Sequence, residues 1–266
     1  MMVKTHGMMM SAPMIHAYLA GLKSQTRRIR GRALNLINAN PDHWDCEGVS
    51  ANGEAFVFSN LINRAIPPLR IKPPYGPAGD TLWFRETYGV ICNAADPYCE
   101  CETEDEERRN HTIEYRADTG NPYPGDWPEE EAKGSDVAPK WQSSMFMPHA
   151  KSRFVDILIL NVRVERLQKI GSEECMLEGI ALTMRVDPYD DSAWLRNEYK
   201  RLWNKLNGKK LPWEKNPWVW VYEFPKYQTS DSSKAHFGDP CIYCHKAHND
   251  VAVGDCPNAP ISQVQS

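Results

Sequence analysis

Pro217-Trp218-Val219-Trp220-Val221-Tyr222-Glu223-Phe224 is the stretch whose reading decides the fold. Its alternation assigns it to a strand. Trp218, Trp220, Tyr222 and Phe224 point one way, Val219 and Val221 the other, so both faces are mostly covered. Upstream, Asp191 or Ser192 caps a helix whose core face is Leu195, Tyr199, Leu202, Trp203 and Leu206, and Gly208 closes it. Ser172 starts a shorter helix, with Glu173 and Glu174 in its first turn and Gly179 near its end. Residues 152–167 carry the longest run of strand-forming residues, and their alternation changes phase near Asn161, which predicts a bulge or bend there.

Towards the N-terminus, Gly79-Asp80 opens a strand from Thr81 to Tyr88, and His111 to Arg116 reads as another. Residues 11–22 read as a helix with Ser11 as cap, Pro13 in the first turn, and Met14, Ile15, Tyr18, Leu19 and Leu22 on one face. Residues 31–78 are rich in Asn, Asp, Gly and Pro and read as an irregular insertion. A second insertion spans 91–140, acidic at first and then Gly- and Pro-rich. The order helix, strands, long strand, helices, strand is α+β, with a curved or barrel-like sheet flanked by helices.

The formal net charge of -4 excludes a uniformly basic nucleic-acid binder, so any anion-binding surface is local. Arg27, Arg28, Arg30 and Arg32 form the densest basic stretch. No apolar run is long enough to span a membrane, and no apolar segment of a secretory signal follows Met1, so the expectation is a cytoplasmic protein. Its oligomeric state is left open.

Gly21-Leu22-Lys23-Ser24-Gln25-Thr26-Arg27-Arg28 puts a primary amine, a hydroxyl and two guanidiniums within a few residues. A threonine hydroxyl is a weak nucleophile until a base takes its proton. A lysine becomes such a base when burial or a neighbouring cation lowers its pKa. A carboxylate is then needed to orient the amine. On a surface loop, the same residues would be solvated decoration.

The chain resembles the ASCH family (activating-signal-cointegrator homology) of the PUA-like superfamily, and is most similar to ASCH proteins of bacteriophages and prophages. Pro13 to Arg28 matches with its G-x-K-x-x-T-x-R continuation, as do Gly79 to Glu86, Tyr115-Arg116-Ala117-Asp118, Met147 to Arg153, Val164 to Gln168, Glu178-Gly179-Ile180 and Asn216 to Phe224. They run in family order over residues 11–224. The resemblance implies a PUA-like (ASCH) β-barrel over 11–227, with loop insertions at about 31–78 and 91–140. Small bacterial members include amidohydrolases that cleave N4-acetylcytidine to cytidine and acetate. The resemblance places their catalytic roles on Lys23 as base, Thr26 as nucleophile and Glu178 as holder or proton donor of the amine. Glu173 and Glu174 are nearby alternatives for the last role. Arg28 would bind the base or a phosphate. Arg27, Arg85, Glu86, Lys151 and Arg153 are further candidates for substrate contact. The expected partner is a modified nucleoside, RNA or DNA. The insertions and tail exceed the small enzymes, and a binding module that recognises RNA or a modified base without chemistry is the alternative.

Gln228 to Ala235 is polar and reads as a linker, followed by a tail over 236–266. There Cys241, Cys244, His248 and Cys256 give C-x2-C-x3-H-x7-C, a spacing suited to a structural Zn2+ site. His245 competes with His248, and His236 is a reserve ligand. Cys92, Cys99 and Cys101 offer poorer zinc spacing among crowded acids.

Overall fold

The computed structural model describes residues 3–50, 53–92, 111–119, 141–180 and 191–228. The elements in chain order are β1 (Thr5–Met9), α1 (Ala12–Leu19), β2 (Gln25–Arg28), α2 (Arg32–Ile37), β3 (Trp44–Val49), β4 (Phe56–Asn60), β5 (Leu69–Ile71), β6 (Thr81–Arg85), β7 (Tyr88–Cys92), β8 (His111–Tyr115), β9 (Ile157–Leu158), β10 (Asn161–Arg166), α3 (Ser172–Leu177), α4 (Asp191–Asn207) and β11 (Trp218–Glu223). Short 3-10 turns connect several of them. The fold is mixed α/β. Among the described residues no helix is long and apolar enough to cross a membrane.

The described strands form small sheets in the orders β1-β6-β9, β10-β11-β2, β3-β4-β5 and β7-β8. None closes into a barrel among the described residues, which differs from the single curved or closed sheet expected. The reason is visible at the long strand signal of 152–167. Asp156 takes a left-handed φ of 55°, and β9 lasts only two residues. The chain then changes partner: Ile159 N donates to Asp80 O, and Leu160 N donates to Glu223 O. One apolar run thus serves two sheets, and the phase change near Asn161 marks the switch.

Residues 31–78 are also more regular than expected. They hold α2 and the antiparallel meander β3-β4-β5. Pro67-Pro68 and Pro73-Pro74 fall in the connections rather than inside strands, so they punctuate the meander without breaking it.

The chain divides into two compact units. The first comprises the described residues of Met1–Met8, Ala17–Trp83 and Phe154–Tyr227; the second includes Met9–His16 and the described residues of Phe84–Arg153. In the first unit β11 is the central strand, antiparallel to β10 on one side and β2 on the other. Val219 and Val221 are fully buried beneath α3 and α4, in a cluster with Leu167, Ile170, Cys175, Leu195, Tyr199, Trp203 and Trp213. Each valine so buried contributes about 1.5–3 kcal/mol. The other face of β11 packs edge-to-face aromatics: Phe58 on Trp218, Phe56 on Trp220 and Tyr75 on Tyr222. Asn38, at the end of α2, exchanges two side-chain hydrogen bonds with the backbone of Trp218. The meander and α2 are therefore the second cover that the apolar strand requires.

Candidate functional site

The site is built around the link from α1 to β2. Gly21 takes a φ of 67° and turns the chain. Leu22 N and Lys23 N then both donate to Ala17 O at 3.0 Å. Ser24 N donates to Leu177 O at 3.0 Å, and Ser24 O accepts from Phe224 N at 2.9 Å. Three elements thereby hold one short segment by its backbone. Gly179, with a φ of 95°, packs against the same segment. A Cβ there would lie 2.7 Å from Ala17 Cβ and 3.5 Å from Lys23 Cβ. Glycine is needed both for its conformation and for the close approach.

Lys23 is 1% exposed. Its ammonium donates to Gln25 O at 2.7 Å, to Glu178 O at 2.7 Å and to Glu178 Oε2 at 3.2 Å. An ammonium has three N–H donors, and each has an acceptor here. Burial lowers its pKa from 10.5 to about 8; the Glu178 carboxylate opposes this, while Arg28 and Arg27 reinforce it. A lysine in this condition exchanges a proton near neutral pH.

Arg27 lies beside this pair with its side chain 0% exposed. Nη1 donates to Gln25 Oε1 at 2.7 Å and Glu178 Oε1 at 3.1 Å. Nη2 donates to Glu165 Oε1 at 2.5 Å and Glu174 Oε2 at 2.9 Å, and Nε donates to Glu165 Oε1 at 3.1 Å. All five guanidinium N–H groups are then committed. Burial works against its charge, but Glu178, Tyr199, Glu165 and Glu174 outweigh that and hold its pKa above the ordinary arginine value. Every Arg27 donor is thus held by a side chain of the same unit. Arg163 extends the array, pairing with Glu165 at 3.2 Å and also with Glu174 and Glu223.

Thr26 is 3% exposed and lies opposite Tyr222 in the β2–β11 register. Strand alternation puts Gln25 and Arg27 on one face and Thr26 and Arg28 on the other. The Arg27–Gln25 side-chain hydrogen bond agrees with the first assignment. The chain thus brings Lys23 and Glu178 into contact and leaves Thr26 on the face of β2 opposite Gln25 and Arg27. Among the described residues no hydrogen bond joins Thr26 to either one. Arg28 is half-buried opposite Trp220.

Glu178 is the residue after α3 and is 4% exposed. Its neighbours divide by function. Glu173 is exposed, whereas Glu174 bonds Arg27, Arg163 and the Gly171 N–H that precedes the helix.

The other four substrate-contact candidates belong to the second unit. Arg153 clasps Glu86 at 3.0 and 2.8 Å and Asp118 with two bonds of 2.8 Å, and lies 4.3 Å over the Tyr115 ring. Glu86 is 2% exposed; burial pushes its carboxyl pKa up and Arg153 pulls it back part of the way. Lys151 Nζ lies 5.4 Å over the Tyr88 ring. Arg85 Nη2 donates to Met145 O. These contacts organise the second unit itself.

Residue patterning did not single out Gln25, Glu165 or Arg163. The usable signal was alternation: on paired strands, Gln25 and Arg27 share a face with Arg163 and Glu165. Among the described residues no three His, Cys, Asp or Glu side chains gather as a metal site. Cys241, Cys244, His245, His248, Cys256 and His236 lie outside the described residues, as do Cys99 and Cys101. Comparison with family models, with curated proteins and with solved structures finds no match.

Proposed function

We propose that the chain is an amide hydrolase acting on an acylated or otherwise modified cytidine, free or within a nucleic acid, with Lys23, Thr26 and Glu178 as its reacting set. The observation that carries this reading is Lys23: fully buried, hydrogen-bonded to Glu178, and lowered to a pKa of about 8, three residues before a buried threonine. In the step envisaged, Thr26 Oγ1 attacks the acyl carbonyl carbon and gives its proton to neutral Lys23. The C–N bond then breaks as the Lys23 ammonium returns that proton to the departing amine, which Glu178 holds, and water hydrolyses the Thr26 ester to the free acid and restores the hydroxyl. Substrate binding must bring the Thr26 hydroxyl onto the amine, because no bond joins them in this conformation. The resemblance of residues 11–224 to ASCH proteins supports the substrate class and a PUA-like architecture.

The second reading is a non-catalytic module that recognises RNA or a modified base. It is favoured by the saturation of Lys23, whose three donors are all held by Gln25 and Glu178 as in a structural lock. Incubation with N4-acetylcytidine decides between them. Release of cytidine and acetate by the wild type, lost in Thr26→Val, supports the hydrolase. Retained RNA binding without turnover of any acylated nucleoside supports the module.

For the tail, the reading is a structural Zn2+ held by Cys241, Cys244 and Cys256 with His248. Four such ligands leave no open position for chemistry.

A further inference from the structure

We infer that Arg27 is a positioning residue for the Lys23–Glu178 pair, dividing the Glu178 carboxylate so that one oxygen serves Lys23 and the other is held away from it. This rests on the hydrolase reading for its catalytic meaning, though not for its test. The carboxylate is split: Oε2 accepts from Lys23 Nζ at 3.2 Å, and Oε1 accepts from Arg27 Nη1 at 3.1 Å. Arg27 is itself immobilised. Glu165 takes Nε and one Nη2 donor, Glu174 takes the other, and Gln25 takes the second Nη1 donor. Those carboxylates are anchored in turn by Arg163. A bare Lys23–Glu178 contact would let both oxygens close on the ammonium and keep it charged. Arg27 engages one of the two oxygens and adds a positive charge nearby, so the amine gives up its proton more readily.

The groups that act on Lys23 are Glu178 at the end of α3 and Arg27 and Arg28 on β2. Around Glu178 and Arg27 stand Glu165 on β10, Glu174 and Cys175 on α3, and Tyr199 on α4. Arg27 donates a hydrogen bond to the same carboxylate as Lys23. A residue that merely staples α3 to the sheet would need to hold Glu174 or Glu178, but it would not need to divide the carboxylate that Lys23 shares.

The test titrates the Lys23 side chain directly, by NMR of protein labelled at lysine Cε, in the wild type, Arg27→Gln and Arg27→Lys. The Lys23 resonance is assigned by its absence in Lys23→Met. Arg27→Gln should raise the Lys23 midpoint by about one pH unit or more, the scale on which a near charge acts. Arg27→Lys keeps the charge but cannot reach all four partners, so it should give a smaller rise. If Arg27→Gln does not fold, Arg27→Lys decides by the same criterion. A folded variant with lowered melting temperature and an unmoved Lys23 midpoint overturns the inference and leaves Arg27 a structural staple. Where turnover is measurable, the acid limb of its pH profile should move with the midpoint. A moved midpoint in a protein without turnover upholds the inference and removes the hydrolase reading instead.

Discussion

Glu178 has two carboxylate oxygens and two buried cations to satisfy, and most of the site's energetics follow from that. Glu178→Ala strips Lys23 of one acceptor and Arg27 of another while both stay buried. Breaking a buried pair in this way costs about 3–5 kcal/mol, to be read from urea unfolding. Lys23→Met is expected to cost much less, because Glu178 keeps Arg27 and an unbranched apolar chain suits the space beside Gly179. The same substitution exposes a pH signature. An unfolded lysine holds its proton to 10.5, whereas Lys23 in the folded chain releases it at about 8. Between those values the unfolded state binds the extra proton, so this group makes the fold more stable as pH rises, by up to about 1.4 kcal/mol per pH unit. Burial pushes Cys175 up to about 11 and Tyr18 to about 12, and these run the opposite way at alkaline pH. The quantity to measure is therefore the difference between wild type and Lys23→Met at matched pH. It should grow in favour of wild type from pH 8 to 10.5, and a flat difference would refute a depressed Lys23. At this scale the sequence was only partly legible. Lys23 and Thr26 stand out by residue type, whereas the place of Arg27 in a buried ion-pair array does not show in the sequence. Its burial comes from four side chains on three elements, which a single strand's alternation does not display.

Among the elements, α3 shows why legibility was uneven. Its start and stop are written locally, in Ser172 with its following acids and in Gly179, and the helix lies where those signals put it. Which of three glutamates faces Lys23 is not a local matter. It depends on how the end of α3 seats against Ala17, and Gly179 permits that seating. Gly179→Ala should destabilise the protein by about 1–2 kcal/mol for the left-handed backbone alone, and by more because the new Cβ meets Ala17 Cβ at 2.7 Å. Adding Ala17→Gly should recover the contact component but not the backbone component. A double variant no more stable than Gly179→Ala would show that the contact is not the cause. The long 152–167 run teaches the complementary lesson. Its phase change was legible near Asn161, but not that the change marks a transfer between two sheets. That transfer is made by backbone bonds to Asp80 and Glu223, distant in sequence.

For the molecule as a whole, the doubly apolar strand Trp218–Glu223 was enough to place a sheet with cover on both sides. The α4 cover was readable from the helical period at Leu195, Tyr199 and Trp203, although Leu206, assigned to the same face, is exposed. The aromatic cover was not, because 31–78 looks irregular when proline and glycine are counted without regard to where they fall. The tail carries a separate prediction: zinc bound per protein should fall on Cys241→Ser, measured by atomic absorption after gel filtration, and an unchanged ratio would refute the ligand set. The proposed chemistry is that buried Lys23 serves Thr26 in amide hydrolysis. Its most direct test is cytidine release from N4-acetylcytidine by wild type and Thr26→Val across pH 6 to 9. The prediction is release that climbs towards pH 8 in the wild type and falls by about a thousandfold or more without the hydroxyl. Equal release by both proteins, or none by the folded wild type, would contradict it.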